Sequence, residues 1–203
     1  MRYLVQGLIL GLAYVAPIGM QNMYVINTAM HSSLLRALQV ALVTICFDVS
    51  LALACFFGVG AILFRFPVLR MIVMLVGSLA VLGIGIGLLK SKPGFSSGAT
   101  EDQRLHGIIL SCFAVTWLNP QAVIDGSLLL GGWRASLSPS AATLFITGVA
   151  SASFIWFLGL ATLVSCFRRI LSPRAMRSMN VLCGLILIGF AVRMGLGVVA
   201  LLH

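Results

Sequence analysis

Six apolar stretches, each long enough to cross a bilayer, take up nearly all of this chain's 203 residues. They run from about 4 to 28, 38 to 63, 68 to 89, 106 to 132, 141 to 165 and 178 to 202, and a helix needs about 20 apolar residues to span the hydrocarbon. In lipid every backbone amide and carbonyl must be satisfied internally, so such stretches are restricted to α-helices. The fold class that follows is an all-α membrane protein, one transmembrane domain over 1–203 with short connections and no separate soluble domain. Composition agrees, because 61% apolar residues, 8% charged residues and a mean hydropathy of +1.13 leave too little polar surface to coat a soluble fold.

The formal charge of +9 invites a nucleic-acid reading. A basic face requires a soluble face, however, and here the cations gather at the ends of the apolar stretches, which excludes nucleic acid as a partner. They report orientation instead. Arg36, Lys90, Lys92, Arg104, Arg168, Arg169, Arg174 and Arg177 fall on one side of the alternating connections, with Arg2, Arg65, Arg70 and Arg134 on the other. The excess of positive charge marks the cytoplasmic side, so both termini are expected outside the cytoplasm of a multi-pass protein of a bacterial inner membrane. The first stretch follows Arg2 like a signal peptide, but it continues through Gln21 and Asn22 to Ile26 without a small-residue cleavage site and is expected to be retained. Cys46, Cys55, Cys112, Cys166 and Cys183 all lie in apolar stretches without CxxC spacing and are expected to be buried small hydrophobes.

Shifting the sequence by 100 residues lays Gly7, Ile9, Leu10, Val15 and Gln21 on Gly107, Ile109, Leu110, Val115 and Gln121. The polar interruption recurs at the same place, with Gly19, Met20 and Gln21 opposite Asn119, Pro120 and Gln121. A three-helix repeat crosses an odd number of times, so its second copy enters from the opposite side. The expected organisation is therefore two inverted repeats, about 1–90 and about 105–203, joined by a Gly/Pro/Ser linker over about 91–104. Glycines at 7, 11, 77, 83, 85, 87, 184, 189, 195 and 197 are expected to let helices approach closely.

Helices 1 and 4 are expected to be broken in mid-membrane. Pro17 with Gly19, and Asn119 with Pro120, fall inside their stretches. Proline lacks an amide hydrogen and clashes with the carbonyl four residues back, so each break frees backbone groups that need a polar, protein-lined cavity. Such ends offer amides to a carboxylate and carbonyls to a cation. Gln21, Asn22, Asn119 and Thr116 would extend that cavity, either as ligand contacts or as interhelical hydrogen bonds. Ser151 and Ser153 are expected to bond back to their own helix.

Only four carboxylates exist, and Asp48 and Asp125 lie inside apolar stretches. A charged residue at the bilayer centre costs about 2.5 to 3.5 kcal/mol on an insertion scale, so it marks a functional site or a structural ion pair. Asp48 is expected near the midplane, away from any basic residue in the middle of helices one to five, where a proton and a bound cation would compete for it. Asp125 lies nearer the outer end of the fourth stretch, at a depth similar to Arg193, so the two are candidates for an ion pair or gate. Arg193 alone could instead snorkel outward.

The string Ala16-Pro17-Ile18-Gly19-Met20-Gln21-Asn22, the buried Asp48, the run Ala114-Val115-Thr116-Trp117-Leu118-Asn119-Pro120 with Asp125, and Ser151-Ala152-Ser153-Phe154 with Trp156 resemble the LysE/ArgO family of bacterial amino-acid exporters. The resemblance spans nearly the whole chain, and the Thr-Trp-Leu-Asn-Pro run followed by Asp is the part specific to the branch for basic amino acids. It implies export of L-lysine or L-arginine driven by the proton gradient. Met20 stands where that family usually has proline after Gly19, and Gln121 where the arginine branch usually has histidine.

Other readings are an exporter of neutral amino acids or another small solute, a metal transporter, a membrane-embedded enzyme and a purely structural subunit. A metal site wants several converging carboxylates or His and Cys ligands, and only two carboxylates enter the membrane. An enzyme is disfavoured because His31, His106 and His203 lie at helix ends, with no HExxH and no base beside a buried serine. No cofactor is called for. The expected partners are a cationic amino acid, protons and the lipid bilayer, and a homo-oligomer is compatible with the sequence.

Overall fold

The computed structural model describes residues 1–17, 19–58, 65–90, 105–134, 137–168 and 173–202. Among these the regular structure is entirely helical: α1 (Arg2–Val15), α2 (Met20–His31), α3 (Leu34–Phe56), α4 (Pro67–Lys90), α5 (Leu105–Trp117), α6 (Pro120–Gly126), α7 (Pro139–Phe167) and α8 (Pro173–Leu202). After α6 the chain runs through a π-helical turn at Ser127–Gly131 and a last α turn at Gly132–Arg134. The expected linker at about 91–104 lies outside the described residues, as do Ile18, the end of the second apolar stretch beyond Gly58, Arg169 and His203.

Among the described residues three helices are long and apolar enough to cross a membrane singly: α3, α7 and α8 over Val181–Val199. Arg193 does not interrupt that last helix, which is continuous to Leu202. Two bent pairs, α1 with α2 and α5 with α6 and its continuation, are long and apolar enough to cross when each is taken as one unit; each is bent by more than 40°, the second by 56°. The third expected span falls on α4, where the apolar section Met71–Gly87 is shorter than the others.

Local signals explain the ends. The second expected span begins four residues early, at Leu34, because Ser33 caps it by accepting a hydrogen bond from the Arg36 amide at 3.3 Å. It stops at Phe56 because Gly58 takes the left-handed conformation, φ +96°, that ends helices.

Lipid is as apolar as leucine, so helices in a membrane associate through close packing and internal hydrogen bonds. Glycine provides the closest approaches. A Cβ on Gly7 of α1 would collide with the Phe145 carbonyl of α7, and one on Gly148 of α7 with the Leu4 carbonyl of α1. Gly85 of α4 and Gly184 of α8 face each other in the same manner. These contacts make α1 with α7, and α4 with α8, the most extensive pairings, while α3 packs between α7 and α5. The largest core cluster joins Met23 and Tyr24 of α2, Val40 and Ile45 of α3, Ile108 of α5, Phe157 of α7 and Leu187 of α8.

The outward face is equally apolar, with Leu79, Leu110, Leu163 and Leu185 exposed, which only a lipid surround accommodates. Cys46 and Cys166 lie on this face, so the expectation of burial holds for Cys55, Cys112 and Cys183 alone. A thiol in lipid needs no burial against protein, and periodicity in a wholly apolar helix does not distinguish the two faces.

Candidate functional site

Both expected breaks are present, and each is built from backbone geometry. In the first, α1 ends with the Ala16 amide donating to the Leu12 carbonyl at 2.9 Å. Gly19 then runs extended, φ −121° and ψ −172°, before α2 starts at Met20. Two of the carbonyls at the break are engaged by the protein itself. Asn22 Nδ2 donates to the Val15 carbonyl at 3.0 Å and to the Pro17 carbonyl at 2.7 Å, and its own Oδ1 accepts from Trp156 Nε1 at 2.9 Å. All of the hydrogen-bonding groups Asn22 needs to satisfy are thus engaged within the protein, and it staples the break to α7.

In the second break Asn119 is extended, φ −101° and ψ 93°, and Pro120 occupies the first turn of α6, where a missing amide hydrogen costs nothing. The Leu118 carbonyl is packed so tightly by Gly77 of α4 that no Cβ would fit between them. Tyr14 Oη reaches across from α1 toward the Ala122 carbonyl, at 3.5 Å.

Asp48 is the fifteenth of the 23 residues of α3 and only 1% exposed. At 1.5 Å per residue it sits about 21 Å from the helix start. Its Oδ2 accepts from Ser153 Oγ of α7 at 2.6 Å, and the Gln21 amide of α2 is its second polar neighbour. Gln21 Nε2 also donates to Thr116 Oγ1 of α5 at 2.9 Å, with Thr116 fully buried. Ser151 bonds back to the Thr147 carbonyl at 2.8 Å as expected. Ser153 does not, because a buried carboxylate on the facing helix is a stronger acceptor than a carbonyl already used by its helix.

The two breaks border an open-sided cavity of about 500 Å³. Tyr14, Pro17, Gly19, Gln21 and Asn22 line it from the first break, Asn119, Gln121 and Asp125 from the second, and Leu128, Leu129 and Phe190 complete the wall. Asp125 is half-buried, and its Oδ1 accepts from Gln121 Nε2, one turn away, at 2.7 Å. Asp48 and Thr116 do not line the cavity; they lie one layer behind it, with Gln21 between. Pro120 and Arg193 line an adjoining cavity of about 160 Å³, to which Asn119, Gln121 and Phe190 also contribute. Among the described residues no ion pair joins Asp125 to Arg193, and no group of three His, Cys, Asp or Glu side chains gathers as a metal site would require.

Sequence reasoning missed Tyr14 and Phe190 as cavity walls. Each lies three residues before a singled-out position, Pro17 and Arg193, so helical spacing was the available signal.

A bundle of apolar helices, with two breaks bordering a cavity that carries a few polar side chains, is an arrangement that membrane translocators use. A family model described as LysE type translocator matches residues 12–197, and the chain belongs to that family. Similar proteins include the arginine exporter protein ArgO of Enterobacter sp. (strain 638), 35% identical over 192 residues that cover 92% of this chain and 90% of that protein. ArgO of Salmonella schwarzengrund (strain CVM19633) is 35% identical over 190 residues, 91% and 89% of the two chains. ArgO of Klebsiella pneumoniae (strain 342) is 34% identical with the same coverage. No solved structure matches the chain.

Proposed function

We propose that this protein exports basic amino acids, L-arginine and/or L-lysine, across the bacterial inner membrane in exchange for protons. The observation that carries the reading is the half-buried Asp125 carboxylate on the wall of the cavity between two broken spans, with Asp48 buried one layer behind it. The cavity supplies an anion and amides, which suits a cationic amino acid. The names of the similar proteins, all arginine exporters, place arginine first among the cargoes to test.

Six spans arranged as two inverted repeats would provide alternating access around such a cavity. The bent pairs α1/α2 and α5/α6 would occupy equivalent places, as would α3 and α7, and α4 and α8. Arg36, Lys90, Arg168, Arg174 and Arg177 would then face the cytoplasm and both termini the other side. Moving a cation out against an inside-negative potential costs about 2.3 kcal/mol per charge per 100 mV. Exchange for one entering proton cancels that electrical term, and a titratable Asp48 linked through Gln21 to the cavity would let the two ligands alternate.

The test is efflux of labelled arginine and lysine from preloaded proteoliposomes under an imposed proton gradient, with threonine as comparator and Asp48→Asn beside the parent. The reading expects gradient-dependent efflux of the basic amino acids by the parent, little threonine efflux, and loss of coupling in Asp48→Asn. Equal movement of threonine would favour a neutral-solute exporter, and unchanged coupling in Asp48→Asn would make Asp48 structural.

A further inference from the structure

Every amino acid carries an α-carboxylate besides its cationic groups, and Asp125 repels it. The wall of the larger cavity holds no basic side chain. The wall of the smaller one holds Arg193, on α8. The two cavities are neighbours, since Asn119, Gln121 and Phe190 line both. Asp125 therefore lines one of two adjoining cavities and Arg193 the other, with two amides and a ring common to both. Gln121 is turned to the acidic side by its bond to Asp125 Oδ1. With no ion pair between them among the described residues, each charge is left for a third party.

We propose that Arg193 receives the α-carboxylate of the cargo while Asp125 receives one of its cationic groups, so that the two adjoining cavities recognise an amino acid by both of its charges. The proposal rests on the export of basic amino acids and adds the residue that distinguishes an amino acid from an amine of the same side chain. A guanidinium holds a carboxylate by two parallel hydrogen bonds, a geometry lysine does not reproduce. Arginine at this position is exposed on the protein surface of α8, so the competing explanation is a side chain that merely snorkels to the outer interface. Snorkelling requires no dependence on the cargo's carboxylate, and this separates the two.

The experiment measures labelled arginine transport by the parent in proteoliposomes, with competition by unlabelled arginine, by agmatine, which is arginine without its carboxylate, and by arginine methyl ester. In the parent both analogues should compete about ten-fold or more weakly than arginine, as expected when a charged hydrogen bond is lost. Arg193→Gln should bring arginine down to the potency of agmatine while agmatine keeps its parental potency, and Arg193→Lys should restore part of the difference. Asp125→Asn should weaken arginine and agmatine alike. The proposal is overturned if the parent takes agmatine and the ester as readily as arginine, or if Arg193→Gln leaves the ratio unchanged. Should Arg193→Gln not be recovered folded, the parent competition and the lysine variant decide. A parent that moves no arginine at all overturns the export reading itself, an outcome distinct from a parent that moves arginine without regard to its carboxylate.

Discussion

Ser153 Oγ donates to Asp48 Oδ2 at 2.6 Å, joining α7 to α3 across a contact from which water is excluded on both sides. A hydrogen bond to a charged group contributes about 1.5 to 3 kcal/mol, and removing the donor leaves the carboxylate short of a partner. Ser153→Ala should therefore lower thermal stability by an amount in that range and weaken proton coupling. In an Asp48→Asn background the same change should cost about 1 kcal/mol or less, because the remaining bond is between neutral groups. A double-mutant cycle on melting temperature in detergent measures the difference. Equal costs in both backgrounds would mean that the bond carries no charge-dependent stabilisation.

Asn22 holds the first break together, accepting from Trp156 and donating to Val15 and Pro17. Asn22→Ala leaves the buried Val15 carbonyl unpaired, worth about 1 to 3 kcal/mol, and removes the partner of the indole N–H and of the more exposed Pro17 carbonyl, each worth less. Trp156→Phe drops only the last of these bonds and keeps most of the ring. Melting should rank the parent above Trp156→Phe and Trp156→Phe above Asn22→Ala. The reverse order would show that the indole packing, and not the staple, stabilises the break.

Two glycines of α7 separate close packing from open space. A methyl group on Gly148 would meet the Leu4 carbonyl and the Leu8 amide of α1, both backbone atoms that cannot move aside, whereas one on Gly159 would meet nothing within 4 Å. Gly148→Ala should destabilise by about 1 to 3 kcal/mol through overpacking. Gly159→Ala should stabilise by up to about 1 kcal/mol through helix propensity. Monodispersity and melting of the two variants, prepared side by side, check the pair.

Tyr14 lines the cavity with its hydroxyl 3.5 Å from the Ala122 carbonyl, too long to contribute much stability. If that hydroxyl serves the cargo, Tyr14→Phe should raise the KM for arginine efflux several-fold and leave the melting temperature within the range of a neutral surface change, about 0.5 kcal/mol. A lower melting temperature with unchanged KM would assign the hydroxyl to the fold instead.

Most of the architecture was legible before any coordinates. The apolar stretches fell on the helices, three of which are long and apolar enough to span singly, and Pro17, Gly19, Asn119 and Pro120 located both breaks, because proline acts on its own backbone and on the carbonyl one turn before it. The early start of α3 arose where a short-range cap, Ser33, overrode hydropathy. The π-helical turn at Ser127–Gly131 had no sequence signal, yet it places Leu128 and Leu129 on the cavity wall.

The site was legible only as a set of residue types. Asn22 and Thr116 were expected to extend the cavity; Asn22 lines it but spends its amide on the chain break, and Thr116 lies behind it as the acceptor for Gln21. Asp48 was expected near the midplane without a basic partner, and its neighbours are a serine and an amide, with Gln21 separating it from the cavity.

The sequence by itself determined the helical class, the apolar stretches and the places where two of them break, since each depends on residues within a turn or two of one another. Only the tertiary structure decided which buried polar groups meet. Gln21 and Thr116 are 95 residues apart, Asp48 and Ser153 are 105 apart, and Asn22 and Trp156 are 134 apart. In a membrane interior a polar side chain takes whichever donor or acceptor the packing of neighbouring helices brings within reach, and that packing is set by glycine contacts along whole helices, which no local pattern encodes.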